Sequence, residues 1–376
     1  MWIPLCKSSE LTDKPLRKVY WGTPVALFRT PSGALNALED ACGHRAVPLS
    51  LGKVRGESLR CGYHHFAFDG SGACTSAPAN ARLDEASRRA CTVHRFYTRE
   101  AIGLVWVSAD AEAVFPVDEE KYARATVVAG FFPLAGHAQV WLDHYLDYFH
   151  AVHTHAGSIY GGDDEHLAEW TATLTVPPDA TYPLDAGRLE FVPGGTSGLF
   201  WGMYLSGSLP KFLRGLLSGA RAKPNTTVMD ATLFSPACQR LMFSYGNGFG
   251  KIDLEIVTFL NPIAERANVW TAISVAHRKM PEPIASIERY NMLKASAKMH
   301  ILEEDGPYLI GTEQTDISRY HLAPVDASLL GTRAMFARYV AAKGHLYPRD
   351  SMLLKMPAAA GVSFGNPVVP LRVRSA

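Results

Sequence analysis

Over the first hundred or so residues, apolar positions come in short runs divided by turn residues. Val25-Ala26-Leu27-Phe28, Ala34-Leu35-Asn36-Ala37-Leu38 and Leu104-Val105-Trp106-Val107 are such runs, with Pro31-Ser32-Gly33 and Asp69-Gly70-Ser71-Gly72 between them. Runs of this length, broken by Gly, Pro and Asp, predict strands and a small all-β unit. A polar, acidic, Pro-containing stretch, Ser108 to Glu120, then reads as a linker, with a boundary near Glu112 and domains at 1–112 and 113–376. Beyond it, Thr171–Val176, Thr226–Met229, Leu241–Tyr245, Ile252–Leu260 and Val269–Val275 predict strands of one antiparallel sheet with a buried face. From Pro283 to Glu304 turn residues disappear, and Ile284, Ile287, Tyr290, Leu293, Ala297 and Ile301 recur at three and four residues, which predicts a long amphipathic helix. Helix and strand signals alternate irregularly and without a repeat, so the second domain reads as α+β.

Composition narrows the partners. With 376 residues, 47% apolar and 19% charged, the chain has material for two folded cores. A formal net charge of +1 provides no overall basic field for nucleic acid or an anionic membrane. No run of about twenty apolar residues is present and the N-terminus lacks a secretory pattern, so a soluble cytoplasmic protein is expected. Cys6, Cys74, Cys91 and Cys238 have no framework spacing, and no disulfide is expected of them.

The remaining cysteines carry chemistry. Cys42 and His44 form a C-x-H pair, and Cys61 and His64 a C-x-x-H pair after a sixteen-residue spacer. Two thiolates and two imidazoles suit tetrahedral zinc, but one of each per loop also suits a cluster whose two irons take sulfur on one side and nitrogen on the other, which raises its reduction potential. These loops resemble those of the Rieske non-haem iron oxygenases. The likeness continues from Trp2-Ile3-Pro4-Leu5 through Gly22–Phe28 to Gly103–Val107, and neither loop carries the additional cysteine of respiratory Rieske proteins. Gly43 and Gly62 stand where that family usually has Pro, and His65-Phe66 where it has Gly-Trp, which predicts looser loops.

A second motif lies in Trp141–Gly157, where Asp147, His150 and His155 make D-x-x-H-x-x-x-x-H. At helical pitch Asp143, Asp147 and His150 share a face, so the helix is expected to end or bend before His155 if both imidazoles are to meet one ion. Two histidines and a carboxylate on one side of ferrous iron leave the other side open. The resemblance implies that the carboxylate comes from Glu303-Glu304-Asp305, with Asp305 preferred, and that Asp147 bridges His150 to the cluster ligand His44 or His64 of a neighbouring subunit. His144 and His153 are read as non-ligands, His144 standing where relatives often have an Asn near the iron.

Taken together, the resemblance implies an N-terminal Rieske [2Fe-2S] domain followed by a helix-grip catalytic domain with mononuclear Fe(II). It further implies dioxygen as co-substrate, a separate reductase using NAD(P)H with or without a ferredoxin, and a homotrimer. The expected activity is monooxygenation, by hydroxylation or oxidative demethylation, of a mainly apolar, aromatic or cyclic molecule. Gly198–Tyr204 and Leu209–Leu217 are candidate pocket segments. The alternative is a Rieske electron carrier fused to a non-catalytic ligand-binding domain.

Overall fold

The computed structural model describes residues 1–78, 84–145, 147, 150, 154, 170–177, 179–191, 227–247, 250–276, 304–322, 326–356 and 368–373. His153, His155, Glu303, the two candidate pocket segments and nearly all of the helix expected at Pro283–Glu304 lie outside them. Two compact units are formed, one from Met1–Val117 with Asn261–Glu265 and Val340–Met356, the other from Asp118–Leu260, Arg266–Tyr339 and Pro357–Ala376.

In the first unit β1 (Ile3–Lys7), β2 (Leu16–Tyr20), β3 (Thr23–Arg29) and β4 (Leu35–Glu39) are followed by a small four-stranded sheet. That sheet comprises β5 (Lys53–Arg55), β6 (Ser58–Arg60), β7 (Ala67–Asp69) and β8 (Cys74–Ser76) in sequential order. β9 (Arg95–Ala101) and β10 (Leu104–Ser108) then complete a six-stranded sheet of order β1-β10-β9-β4-β3-β2. The apolar runs fall on its interior strands: all of Leu104–Ser108 is buried, as are Val25 to Phe28.

Two of its hairpins turn through pairs with positive φ. Trp21-Gly22 joins β2 to β3 at +50° and +79°, and Ile102-Gly103 joins β9 to β10 at +52° and +73°. These are the two-residue turns whose twist matches paired strands. An L residue there is strained, and Trp21 is held in place by surrounding hydrogen bonds. Its N–H donates to Asn261 Oδ1 at 2.9 Å, and its carbonyl accepts from the Met352 N–H at 2.7 Å and the Ser351 hydroxyl at 3.1 Å.

The second unit is built on an eight-stranded sheet. β11 (Thr126–Ala135) precedes a meander of β12 (Trp170–Thr175), β13 (Leu184–Phe191), β14 (Thr227–Ser235), β15 (Cys238–Asn247), β16 (Gly250–Ala264) and β17 (Ala267–Ala276). β11 pairs with β17 at one edge, and β18 (Val368–Val373) pairs with β12 at the other. The five strands expected from the alternation are all present in it. A 17-residue helix, Ala327–Lys343, was not expected; its apolar positions do not gather into a single stripe, so periodicity could not reveal it.

Glu255 is buried in this sheet, where the Lys121 ammonium and the Tyr122 hydroxyl both reach its carboxylate. Among the described residues, no helix is long and apolar enough to cross a membrane.

Candidate redox and metal sites

Both Cys/His loops of the first unit close in the same way. In the first, the Cys42 N–H donates to the Val47 carbonyl at 2.9 Å and the Ala46 N–H to the Cys42 carbonyl at 2.7 Å. In the second, the Cys61 N–H donates to the Phe66 carbonyl at 2.8 Å and the His65 N–H to the Cys61 carbonyl at 3.2 Å. The fifth residue of each, Ala46 and His65, is left-handed, at φ +54° and +62°. One spacer more or less between Cys and His is therefore absorbed inside a common turn.

Asp40 latches the first loop across its base. Its buried carboxylate accepts the Ser50 N–H at 2.6 Å and the Ser50 hydroxyl at 2.7 Å, and pairs with Arg17 at 2.6 Å. The second loop caps the β6–β7 hairpin, whose last pair is Arg60 with Ala67.

Gly43 and Gly62 do not loosen the loops as expected. A Cβ on Gly43 would stand 2.0 Å from the Cys91 carbonyl oxygen, and one on Gly62 would stand 3.0 Å from that of Leu51. The missing side chains let neighbouring backbone pack directly against the turns, so rigidity comes from packing in place of a proline ring.

Both thiols are buried, Cys42 at 3% and Cys61 at 1% exposure, while the His44 and His64 rings lie above them, toward solvent, with centroids 4.9 Å apart. Burial, and then the adjacent Cys61 thiol against an opposing backbone hydrogen bond from His44, pushes the Cys42 thiol up to about 11. Lost hydration, followed by the charges of His44 and Arg45, holds His64 below the usual imidazole range. The Cys42 thiol, which burial keeps from ionising, becomes a thiolate when a cation sits beside it, and a neutral imidazole such as His64 is a ready donor. The donor set therefore fits a mixed sulfur and nitrogen cluster.

The second unit gathers a different set. The Ala138–His144 helix enters through Gly136, at φ +97°, where a Cβ would meet the Ile310 Cα and Trp141 Nε1 at 3.2 Å each. This close approach sets the helix against the short Gly306–Ile310 helix that follows Asp305. The helix then stops at His144. The Tyr145 carbonyl accepts from the Gln239 side chain, and the Tyr145 hydroxyl donates to the Ala237 carbonyl at 3.3 Å, so β15 and its turn anchor the chain where the helix ends.

Continuous helical pitch through Asp143, Asp147 and His150 is therefore not observed. Asp143 turns away to Arg333, whose Nε and Nη2 reach its two oxygens at 2.9 and 2.5 Å. Asp147 is outside the helix and accepts the His150 N–H at 3.1 Å, the geometry of an N-cap three residues ahead, and His150 is helical again.

This break brings together side chains that a straight helix would separate. His144 and His150 are six residues apart, which on one helix places them on different faces; here their ring centroids are 4.0 Å apart. Asp305 joins them, only 2% exposed. It sits at the N-cap of the Gly306–Ile310 helix, yet its side chain makes no capping hydrogen bond and instead faces the imidazoles. His144 Nε2 is 3.3 Å from Asp305 Oδ2, and His150 Nε2 is 3.7 Å from Asp305 Oδ1.

The other nitrogen of His150, Nδ1, lies 3.4 Å from Asp147 Oδ2. Burial would raise the Asp147 carboxyl, but the hydrogen bonds and charge of His150 prevail and hold it below the usual carboxylate range. One ring thus has a carboxylate behind it and a potential metal position in front, the arrangement that orients metal-binding histidines. Of the acidic run, Asp305 faces the imidazoles; Glu304 is half-buried beside it. His144, which the sequence reading set aside, belongs to the cluster, because only the helix break reveals its convergence with His150.

A β-sheet domain that buries two cysteines beneath two histidines in matched loops, followed by an antiparallel-sheet domain, defines the class. Residues 1–94 match the Rieske [2Fe-2S] domain family. Those residues are a Rieske domain, and relatives of the chain are named as oxygenase subunits and components.

It is 36% identical over 117 residues to the 3-chlorobenzoate-3,4-dioxygenase oxygenase subunit of Comamonas testosteroni, which covers 31% of this chain and 27% of that protein. It is 28% identical over 213 residues to the oxygenase component of dicamba O-demethylase from Stenotrophomonas maltophilia, covering 55% and 60% of the two chains. These curated relatives are thus matched over less than two thirds of their length. The fold is that of dicamba monooxygenase bound to dicamba, with a TM-score of 0.64 at 20% identity over 92% of this chain and 98% of that one. A crystal structure of dicamba monooxygenase with non-haem iron and dicamba has a TM-score of 0.60 at 20% identity, over 91% and 98%.

Proposed function

We propose that this chain is the oxygenase component of a multi-component monooxygenase. Cys42, His44, Cys61 and His64 hold a Rieske [2Fe-2S] cluster, and His150, Asp305 and the motif residue His155 hold mononuclear Fe(II). Bound there, the two groups supply one-electron relay and dioxygen activation. The observation that carries the reading is the presence, in one chain, of two separate donor clusters: buried thiols beneath imidazoles in the first unit, and imidazoles around a buried Asp305 carboxylate in the second.

The chain's own residues do the positioning. Asp147 stands behind His150 Nδ1 at 3.4 Å, which leaves Nε2 on the Asp305 side, and the Asp305 carboxylate, already desolvated, gains from a cation at that point. In an assembly of three copies, Asp147 would also carry the hydrogen-bonded link to a cluster histidine of the next subunit. Electrons would come from a separate NAD(P)H-dependent reductase, with or without a ferredoxin. The exposed His44 ring, with Leu51 78% and Tyr63 59% exposed on and beside the two loops, supports a docking face for such a partner.

The favoured substrate is a mainly apolar, aromatic or cyclic molecule, hydroxylated or oxidatively demethylated, in keeping with relatives named for dicamba O-demethylation and vanillate O-demethylation. A cytoplasmic setting follows from the reductase. The experiment is an anaerobic iron and sulfide assay with the paramagnetic resonance spectrum of the reduced protein. About three irons and two sulfides per chain are expected of two redox centres. Two irons with two sulfides, unchanged after reloading with Fe(II), would leave an electron carrier fused to a ligand-binding domain.

A further inference from the structure

His144 has no part in the motif reading, yet its placement is that of a ligand. The donor atoms of His144, His150 and Asp305 all lie within 4.8 Å of one another. Metal-bound atoms at bonds of about 2.0–2.2 Å stand about 3 Å apart at right angles and about 4 Å apart across the ion. The separations of 3.3 and 3.7 Å from Asp305 to the two imidazoles fall in that range. They are long for charge-assisted hydrogen bonds, which run at about 2.7–2.9 Å. Each oxygen of Asp305 faces a different imidazole, so the carboxylate lies between the two rings.

Preorganisation points the same way. His144 is held between two anchored neighbours: Asp143 is gripped by Arg333, and Tyr145 is bonded through both its carbonyl and its hydroxyl. The ring itself is half-buried, with its side chain 14% exposed, and lies edge-on to Trp141. A solvated surface histidine has none of these restraints.

We propose that His144 is a further imidazole donor to the mononuclear metal, added to the three donors of the reading above and meeting the ion beside His150 and Asp305. The proposal rests on the mononuclear-iron reading above. It changes what the site offers: an octahedral ion with four protein donors keeps two positions for small molecules, against three for a face of two histidines and one carboxylate. It also gives the site a more nitrogen-rich donor set, which favours iron over oxygen-seeking cations such as magnesium.

The test uses the full-length protein with its cluster oxidised, loaded anaerobically with Fe(II) and given nitric oxide as a spin probe. Pulsed paramagnetic resonance of the nitrosyl signal counts the coordinating imidazoles. Three are expected in the wild type and two in His144→Asn, with Fe(II) affinity in that variant weakened by about ten-fold or more. His144→Gln, which keeps a hydrogen-bond donor toward Asp305, is expected to bind as weakly as His144→Asn. Two imidazoles in the wild type, or full affinity in His144→Gln, overturns the proposal. The wild-type count holds even if a variant fails to fold. Loss of the nitrosyl signal in His150→Ala with none in His144→Asn and a wild-type count of two would leave the iron site standing and His144 outside it. No nitrosyl signal in the wild type would remove the mononuclear-iron reading itself.

Discussion

Asp143 and Asp147 lie one helical turn apart in the sequence and face opposite environments. Asp143 is 8% exposed, raised above its ordinary range by burial, paired with the Arg333 guanidinium and given a hydrogen bond by the Gln139 amide at 2.8 Å. Removing one partner from a buried pair leaves an uncompensated charge. Arg333→Met is therefore expected to cost about 3–5 kcal/mol, read as a lowered denaturation midpoint, with Asp143→Leu/Arg333→Met recovering part of the loss. Asp147→Asn, by contrast, keeps a side chain of the same shape. It should retain both metals and slow electron transfer between them, and an unchanged single-turnover rate would remove the bridging role. A third residue gives a pH signature. His94 is depressed below the usual imidazole range by burial, so the folded state holds it neutral while the unfolded chain takes up a proton. Its contribution to stability is full above the unfolded value near 6.5 and falls as pH drops toward the depressed folded value. Urea midpoints measured between pH 7 and 5 should fall more steeply in the wild type than in His94→Phe. The environment of Asp143 is not written in the local sequence, because Arg333 reaches it across 190 positions.

At the scale of elements, two glycines decide geometry. Gly43→Pro, which would install the residue usual in the resembled family, drives a Cβ into the Cys91 carbonyl. The expected result is loss of the cluster's visible absorption while the antiparallel sheet of the second unit keeps its circular dichroism; a full cluster in that variant would restore the looser-loop reading. Gly136→Ala is strained both by its positive φ and by the Ile310 backbone. A cost of about 1–3 kcal/mol is expected, together with weakened Fe(II) binding, since that turn sets the His144 helix against Asp305. The strands were legible because alternation reports a half-buried sheet at short range. The end of the helix at His144 was not. Its cause is the tie from Gln239 to Tyr145, a contact formed across 94 positions, and a helical-pitch argument necessarily extends the helix through Asp147.

For the whole molecule, a ligand that binds only the folded state stabilises it by mass action. A chelator that strips the mononuclear ion while leaving the cluster's absorption intact should lower the thermal midpoint of the second unit by a few degrees, and Fe(II) should restore it. Sedimentation of the holoprotein should give a mass of three chains. Taken by itself, the sequence determined an all-β unit ahead of a mostly antiparallel-sheet unit, the strands of that sheet, and the spacing of four candidate cluster ligands. Each of these is a short-range pattern: apolar period, turn chemistry, or ligand spacing within one loop. The resemblance added a candidate acidic ligand among three neighbouring residues, with Asp305 preferred. Only the tertiary structure decided that Asp305 faces the imidazoles, that Asp143 belongs to Arg333, that the glycine loops are packed tight, and that His144 stands with His150. Those outcomes depend on backbones and charges brought together from distant parts of the chain, where burial sets the cost of every unpaired group and no local pattern encodes the partner.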